Sequence, residues 1–261
     1  MPHSKPGRST VGPGNDSNDV ALLALYRAIA SRDHVHVRRI LDSSPGLSRR
    51  PIAIGASRAD PKTYFLAPIH YIYAGDTTLH IAAAAYQRDL AEWLVANGAS
   101  TGARNRRGAE PLHYAADGFP GSDHWNPAAQ RGVIEYLIGA GANPDALDKS
   151  GVAPLHRAVR TRCPEAVRAL IENGADARLM NKRGSTPLHL AVQNTGRGDS
   201  GSDAAKDQQR LVIDVLLQHG ASPTDVDANG RSVSDAASSE WVRQLLAATR
   251  SQTGDPDSIR G

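Results

Sequence analysis

Residues 185–192 read "STPLHLAV", and the reading of this stretch decides the fold. The same letters return as "TTLHIAA" at 77–83, "EPLHYAA" at 110–116 and "APLHRAV" at 153–159. The shared histidines are His80, His113, His156 and His189, spaced by 33, 43 and 33 residues. A second marker follows each one: "NGAS" at 97–100, "AGAN" at 140–143, "NGAD" at 173–176 and "HGAS" at 219–222. From the glycine of a marker to the next motif histidine the distance is always 15 residues. The variable part lies between histidine and glycine, where the second and fourth units carry 10 and 13 extra residues. Self-similarity at a fixed period marks a stacked array, because one short unit cannot bury its apolar face alone.

Each unit reads as helix, turn, helix, loop. Pro111, Pro154 and Pro187 fit the first helical position, where a missing N–H costs nothing. Thr186 before Pro187 is a sound N-cap. The second helix keeps its apolar residues on one face, as in "LVIDVLLQHG" at 211–220, and stops at a glycine. Aromatic residues are only 5% of the chain, so packing rests on Leu, Ile, Val and Ala, which suit close helix–helix contact.

The chain resembles the ankyrin repeat family. The resemblance rests on the Pro-Leu-His-x-Ala cores, the Gly-Ala helix stops, the turn glycines Gly108, Gly151, Gly184 and Gly230, and the 33-residue period. It covers roughly residues 75–247 and implies an all-α solenoid of helix-turn-helix repeats with short β-hairpin turns. About six units are expected, with divergent ends, since the outer face of a stack must meet water. A divergent first unit is expected in "ALYRAIASRDHVHVRRIL", and a shortened last unit begins at Gly230, with Asp235 in the histidine's place. The repeat domain spans 19–249. Inside it, 45–74 is irregular: "TYFL" and "IHYIY" have strand composition and suggest a hairpin finger bent at Pro68. Inserts lie near 117–131 and 193–209; the first should pack locally through Trp125, and the second reads as a flexible loop. Residues 1–18 and 250–261 read as disordered tails.

Four histidines in matching frames invite a metal or a catalyst. Stacked helices lie roughly 8–10 Å apart, whereas zinc holds its nitrogen ligands at about 2.0–2.1 Å. A ladder with one histidine per layer therefore cannot close on one ion. In the ankyrin family the motif histidine is structural, and the resemblance carries that role to His80, His113, His156 and His189. His34 and His36 are two residues apart and face different ways on a helix. Phosphate-binding loops, paired-cysteine zinc spacings and nucleophile elbows are absent from the sequence. No cofactor is expected.

The resemblance also implies a partner surface, formed by the turn tips and the exposed side of the first helices. The matching positions are Arg106, Arg107, Lys149, Arg157, Arg160, Lys182 and Arg183, with Tyr114 and Leu190 between them and Asp76 and Asp117 as acidic members. Two readings stand: a solvated charged face, or a groove for an acidic protein partner steered by complementary charge. The expected function is a non-catalytic protein-interaction module, an adaptor, scaffold or inhibitor. The runner-up is nucleic-acid binding by the basic strip, opposed by a net charge of only +3. A third reading is an enzyme using Cys163 or the insert around His124. The lone cysteine and the absence of a secretory signal or an 18-residue apolar span lead to the expectation of a cytoplasmic monomer that does not enter membranes.

Overall fold

Four Gly-Ala pairs close four helices in one way. At the first, Gly98 takes a φ of 87° and donates its N–H to the Val95 carbonyl at 2.9 Å, while Ala99 N–H reaches back to Leu94 O at 2.9 Å. This is the Schellman closure, and it needs a left-handed residue at its corner. The same pair of bonds recurs at Gly141–Ala142, Gly174–Ala175 and Gly220–Ala221, each with the alanine buried.

The computed structural model describes residues 17–66, 70–123, 125–194 and 200–252. Among these are twelve α-helices, of which ten pack as pairs: α1 (Ser17–Ala30) with α2 (His34–Ser43), α3 (Thr78–Ala84) with α4 (Arg88–Ala96), α5 (Pro111–Ala116) with α6 (Pro127–Gly139), α7 (Pro154–Arg160) with α8 (Pro164–Glu172), and α9 (Pro187–Ala191) with α10 (Asp203–Gln218); α11 (Val233–Ala236) and α12 (Glu240–Gln252) follow. The architecture is the all-α ankyrin solenoid that the repeats imply. Leu79, Leu112, Leu155 and Leu188 occupy one position in four successive layers, and none is more than 1% exposed. Full burial of such a side chain is worth about 1.5–3 kcal/mol. Three places later Ala82, Ala115, Ala158 and Ala191 let the first helices approach closely.

The turns between units are equally regular. Asn105, Asp148, Asn181 and Asp227 each stand three residues before a turn glycine, and each side-chain Oδ1 accepts two backbone N–H groups, two and four residues on. These local bonds satisfy the turn's own donors. Each turn also donates to the one before it: Arg106 N to Ala74 O at 2.7 Å, Lys149 N to Arg107 O at 2.9 Å, Lys182 N to Gly151 O at 3.2 Å and Ala228 N to Gly184 O at 3.0 Å. The turn edge is thus a continuous hydrogen-bonded strip. Gly151 shows why the corner is glycine: its φ is 67°, and a Cβ there would come within 2.4 Å of Lys182 Cβ.

Between α2 and α3 the chain leaves the repeat pattern. A 3-10 turn (Pro45–Ser48) leads to a two-stranded antiparallel hairpin, β1 (Phe65–Leu66) with β2 (His70–Tyr71), in the register Phe65↔Tyr71 and Leu66↔His70. Ala56 N bonds Ile72 O at 2.7 Å and Ile72 N bonds Tyr64 O at 2.7 Å, so three chain segments lie side by side. The bend expected at Pro68 falls outside the described residues.

Three expectations change. The inserts are not only loops, because part of each lengthens a second helix: α6 has 13 residues and α10 has 16, against nine in α4 and α8. Ser202 caps α10 by accepting from Ala205 N at 3.3 Å, which turns the polar "DAAKDQQR" run into helix; residues 195–199 of that insert lie outside the description. At the ends, Ser17–Asn18 and residues 250–252 are helical rather than tail. The remainder of the expected tails, 1–16 and 253–261, lies outside the described residues.

One cap is missing. Thr186 supplies its hydroxyl to the first turn of α9, whereas Ala153, with nearly the same backbone (φ −87°, ψ 164° against −75°, 165°), has nothing to supply to α7. Ala153→Thr is expected to stabilise the domain by about 0.5–2 kcal/mol. Urea unfolding checks it, and an unchanged or lower midpoint would count against the cap argument.

Candidate functional site

The motif histidines come first, because they decide between chemistry and architecture. The ring Nδ1 of His80 accepts the Thr77 N–H at 3.1 Å, that of His113 the Glu110 N–H at 3.1 Å, and that of His156 the Ala153 N–H at 3.1 Å. The ring Nε2 then donates forward to a carbonyl near the start of the next unit: Ala109 at 3.1 Å, Val152 at 3.0 Å and Leu179 at 2.9 Å. His189 follows suit, accepting from the Thr186 hydroxyl at 2.7 Å and donating to Arg231 O at 3.1 Å. Each ring therefore spends both nitrogens on capping its own helix and tying it to the next layer. Burial lowers the pKa of His80 and His156, and burial together with the Arg157 charge pushes His113 down to about 4. Among the described residues no group of three or more His, Cys, Asp or Glu is arranged to hold a metal ion.

The site that the fold does build is a cleft of about 350 Å³ between the hairpin and the turns and first helices of the following units. His70 and Tyr73 line it together with Tyr114, Val152, Arg107, Ser150, Arg160 and Thr161. Arg157 runs through it. Its guanidinium donates to Asp117 Oδ2 at 2.9 Å and to Asp148 Oδ2 at 3.1 Å, and its side chain is 15% exposed. Burial alone would raise both carboxyls and lower the guanidinium. For Asp117 the bonds from His70 and Arg157 outweigh burial, and for Asp148 the Val152 N–H, Arg157 and the Ser150 N–H do so; both titrate below the usual carboxylate range. Arg157 is held up in turn by its two partners.

This geometry departs from expectation at Tyr114, Asp76 and Arg157. Tyr114 is 1% exposed and cannot be a surface contact. Its hydroxyl donates to the buried Asp76 at 2.9 Å, and its ring is stacked on His70 at 4.4 Å between centroids. Asp76 also accepts from Asn105 Nδ2 at 2.8 Å and from Tyr73 N at 2.7 Å, so it is an internal anchor for the hairpin rather than an acidic member of a groove. Arg157 is likewise no free cation, because two carboxylates already neutralise it. Each of these side chains is held by partners inside the protein that the histidine motif alone does not disclose.

The other predicted residues separate into two sets. Arg106 and Arg107 are exposed but pinned, with guanidinium carbons 5.5 and 4.9 Å from the Tyr73 ring centre; Arg106 also donates to Ala56 O, and Arg107 donates to the Tyr73 hydroxyl at 2.8 Å. Lys149, Arg160, Lys182 and Arg183 are exposed, and among the described residues none of them makes a side-chain ion pair. Leu190 is half-buried against the core. The sequence reading missed His70, Tyr73 and Asp148. Asp148 was within reach, because the Asn/Asp-x-x-Gly spacing repeats four times; the two hairpin residues obey no repeat.

The chemical alternatives meet specific obstacles. Cys163 is fully buried in the core, and burial pushes its thiol up to about 12, which suppresses the thiolate at neutral pH. His124 lies outside the described residues. Trp125 packs against the core and donates to Gln130 Oε1 at 2.9 Å, a local role as expected. None of the described helices is long and apolar enough to cross a membrane.

No curated protein matches the chain. The family model for ankyrin repeats (3 copies) matches residues 126–227, and that for the single ankyrin repeat matches 74–106. Those spans take in the first, third and fourth histidine frames; the second, at 110–116, falls between them, and there the structure shows the same capping and layer-to-layer bonds. The chain belongs to the ankyrin repeat family.

Proposed function

We propose that the protein is a non-catalytic binding module whose partner is a protein with an acidic surface. Ankyrin repeats generally mediate protein–protein interaction, and the family is typically non-catalytic. The observation that carries the finer reading is the contrast among its cations. Arg157 is neutralised inside the cleft, whereas Lys149, Arg160, Lys182 and Arg183 project without ion-pair partners from a rigid turn strip and an adjoining helix. Unpaired cations on a preorganised surface steer an anionic partner and speed its encounter. The backbone that carries them is already hydrogen-bonded from layer to layer, so only the side chains remain to be ordered.

The test is a charge reversal restricted to exposed positions. Lys149→Glu, Arg160→Glu and Arg183→Glu together should leave stability within about 0.5 kcal/mol per site. They should cut partner recovery from lysate at least about tenfold, the equivalent of 1.4 kcal/mol. A matched reversal at Arg38, Arg168 and Lys206, on the second helices α2, α8 and α10, should leave recovery unchanged. Equal recovery by wild type and both variants would sink the proposal.

A further inference from the structure

The turn strip carries more than charge. Leu147, Met180 and Val226 each stand six residues after a helix-stop glycine, in three successive units. They are 40%, 43% and 47% exposed, and they recur at one turn position in successive layers, unlike the scattered exposed apolar residues Trp93 and Leu211 of the second helices. In the unit before them the same position holds Arg104, which pairs with Glu110 at 2.9 Å. Two residues further along, on the same turns, come the unpaired Lys149 and Lys182, and next to the latter Arg183. The strip thus presents an apolar side chain once per layer, with cations beside it, on a backbone whose layer spacing is fixed by the bonds from Lys182 N to Gly151 O and from Ala228 N to Gly184 O.

The spacing selects the shape of what fits. Packed helical layers repeat at roughly 8–10 Å. A β-strand returns its side chains to one face every second residue, about 6.6–6.8 Å, and falls out of step within one layer. A polyproline II helix has three residues per turn and rises 3.1 Å per residue, so one face recurs at about 9.3 Å. That matches the layers.

We infer that the turn strip over Leu147, Met180 and Val226 receives an extended segment of the partner protein in polyproline II conformation, with an apolar residue at every third position and carboxylates between. The inference rests on the acidic-partner reading and adds to it the periodicity and conformation of the bound segment. The apolar side chains cover the three exposed residues, one per layer, and the intervening carboxylates meet Lys149, Lys182 and Arg183. A polyproline II segment suits the strip for a second reason: it lacks internal hydrogen bonds and is already extended, so little conformational freedom is lost on docking.

Fluorescence anisotropy of labelled peptides with the full chain tests this. The first probe repeats Leu-Pro-Glu, the second spaces leucine at every fourth place as Leu-Pro-Pro-Glu, and the third repeats Leu-Pro-Lys. The first should bind at least about tenfold more tightly than either of the others, and Met180→Glu should erase that advantage while the circular dichroism stays that of wild type. Equal binding of the two acidic probes, or an unaltered preference in Met180→Glu, would overturn the ladder while leaving the acidic-partner reading standing. Binding of the lysine probe as tight as the first would overturn both. Failure of every probe to bind would overturn the ladder.

Discussion

Arg157→Met should lower unfolding stability at neutral pH by about 3 kcal/mol, near the lower end of what breaking a buried ion pair costs. The guanidinium is the cation for both Asp117 and Asp148, and these side chains are 19% and 7% exposed. Methionine fills similar volume, so the loss is chiefly electrostatic: two carboxylates are left in the cleft without their counter-charge. The lower end applies because Asp117 keeps some water and a His70 partner at 3.4 Å. Arg157→Lys should fall between wild type and Arg157→Met, since an ammonium lacks the planar fork that reaches both acids. The sign with pH follows from the depressed carboxyls. Their contribution is present above the ordinary carboxylate pKa and is lost as pH falls through the lower folded value, so the gap between wild type and Arg157→Met should narrow in acid. Urea titrations at neutral and acid pH measure this, and a gap below about 1 kcal/mol at neutrality would show that Arg157 is an ordinary surface residue.

This cluster marks the boundary of what the sequence could disclose. The repeated units were legible because each motif residue serves a bond that recurs: histidine to the N-cap and to the next layer, Gly-Ala to the Schellman closure, proline at the first helical position. Arg157 was legible as a first-helix residue, but its pairing was not, because Asp117 begins an insert that lies outside the repeat pattern. Some regularities were present and unread. Arg32, Tyr86 and Arg162 take φ values of 58°, 54° and 57° at the end of a first helix, a conformation usually left to glycine. Each sends its side chain to a carbonyl in the next unit: Ala85 at 3.0 Å, Asp117 at 2.5 Å and Asn194 at 3.4 Å. Two arginines and a tyrosine share one role, and with no letter common to all three a search for repeated letters passes over it. Gln87, Gln130 and Gln209 are a milder case. Each stands eleven residues before a helix-stop glycine and donates to a carbonyl at or near the end of a first helix.

Acid should unfold this protein in the window where histidine, rather than carboxylate, titrates. The ring Nδ1 of His80, His113 and His156 accepts an N-cap N–H, and a proton placed there would set two donors against each other. The folded state therefore resists protonation, and burial strengthens the resistance. The unfolded chain takes up its protons near pH 6.5, whereas folded His113 waits until about 4. Below 6.5 the unfolded state binds more protons, so stability rises with pH across this window and is lost as pH falls through the folded value. The shift at His113 alone is worth about 3 kcal/mol, at 1.36 kcal/mol per unit. His80 and His156 act in the same direction. Urea midpoints should accordingly drop steeply between pH 6.5 and 4.5, before the carboxylate pairs begin to fail. His113→Gln separates this cause from general acid sensitivity. Its amide lacks a titrating proton, so the variant should be less stable at pH 7 but should show a shallower decline, by up to about 1.4 kcal/mol per pH unit. A decline as steep as that of wild type would mean that His113 does not carry the acid response, and that the cap it forms survives protonation.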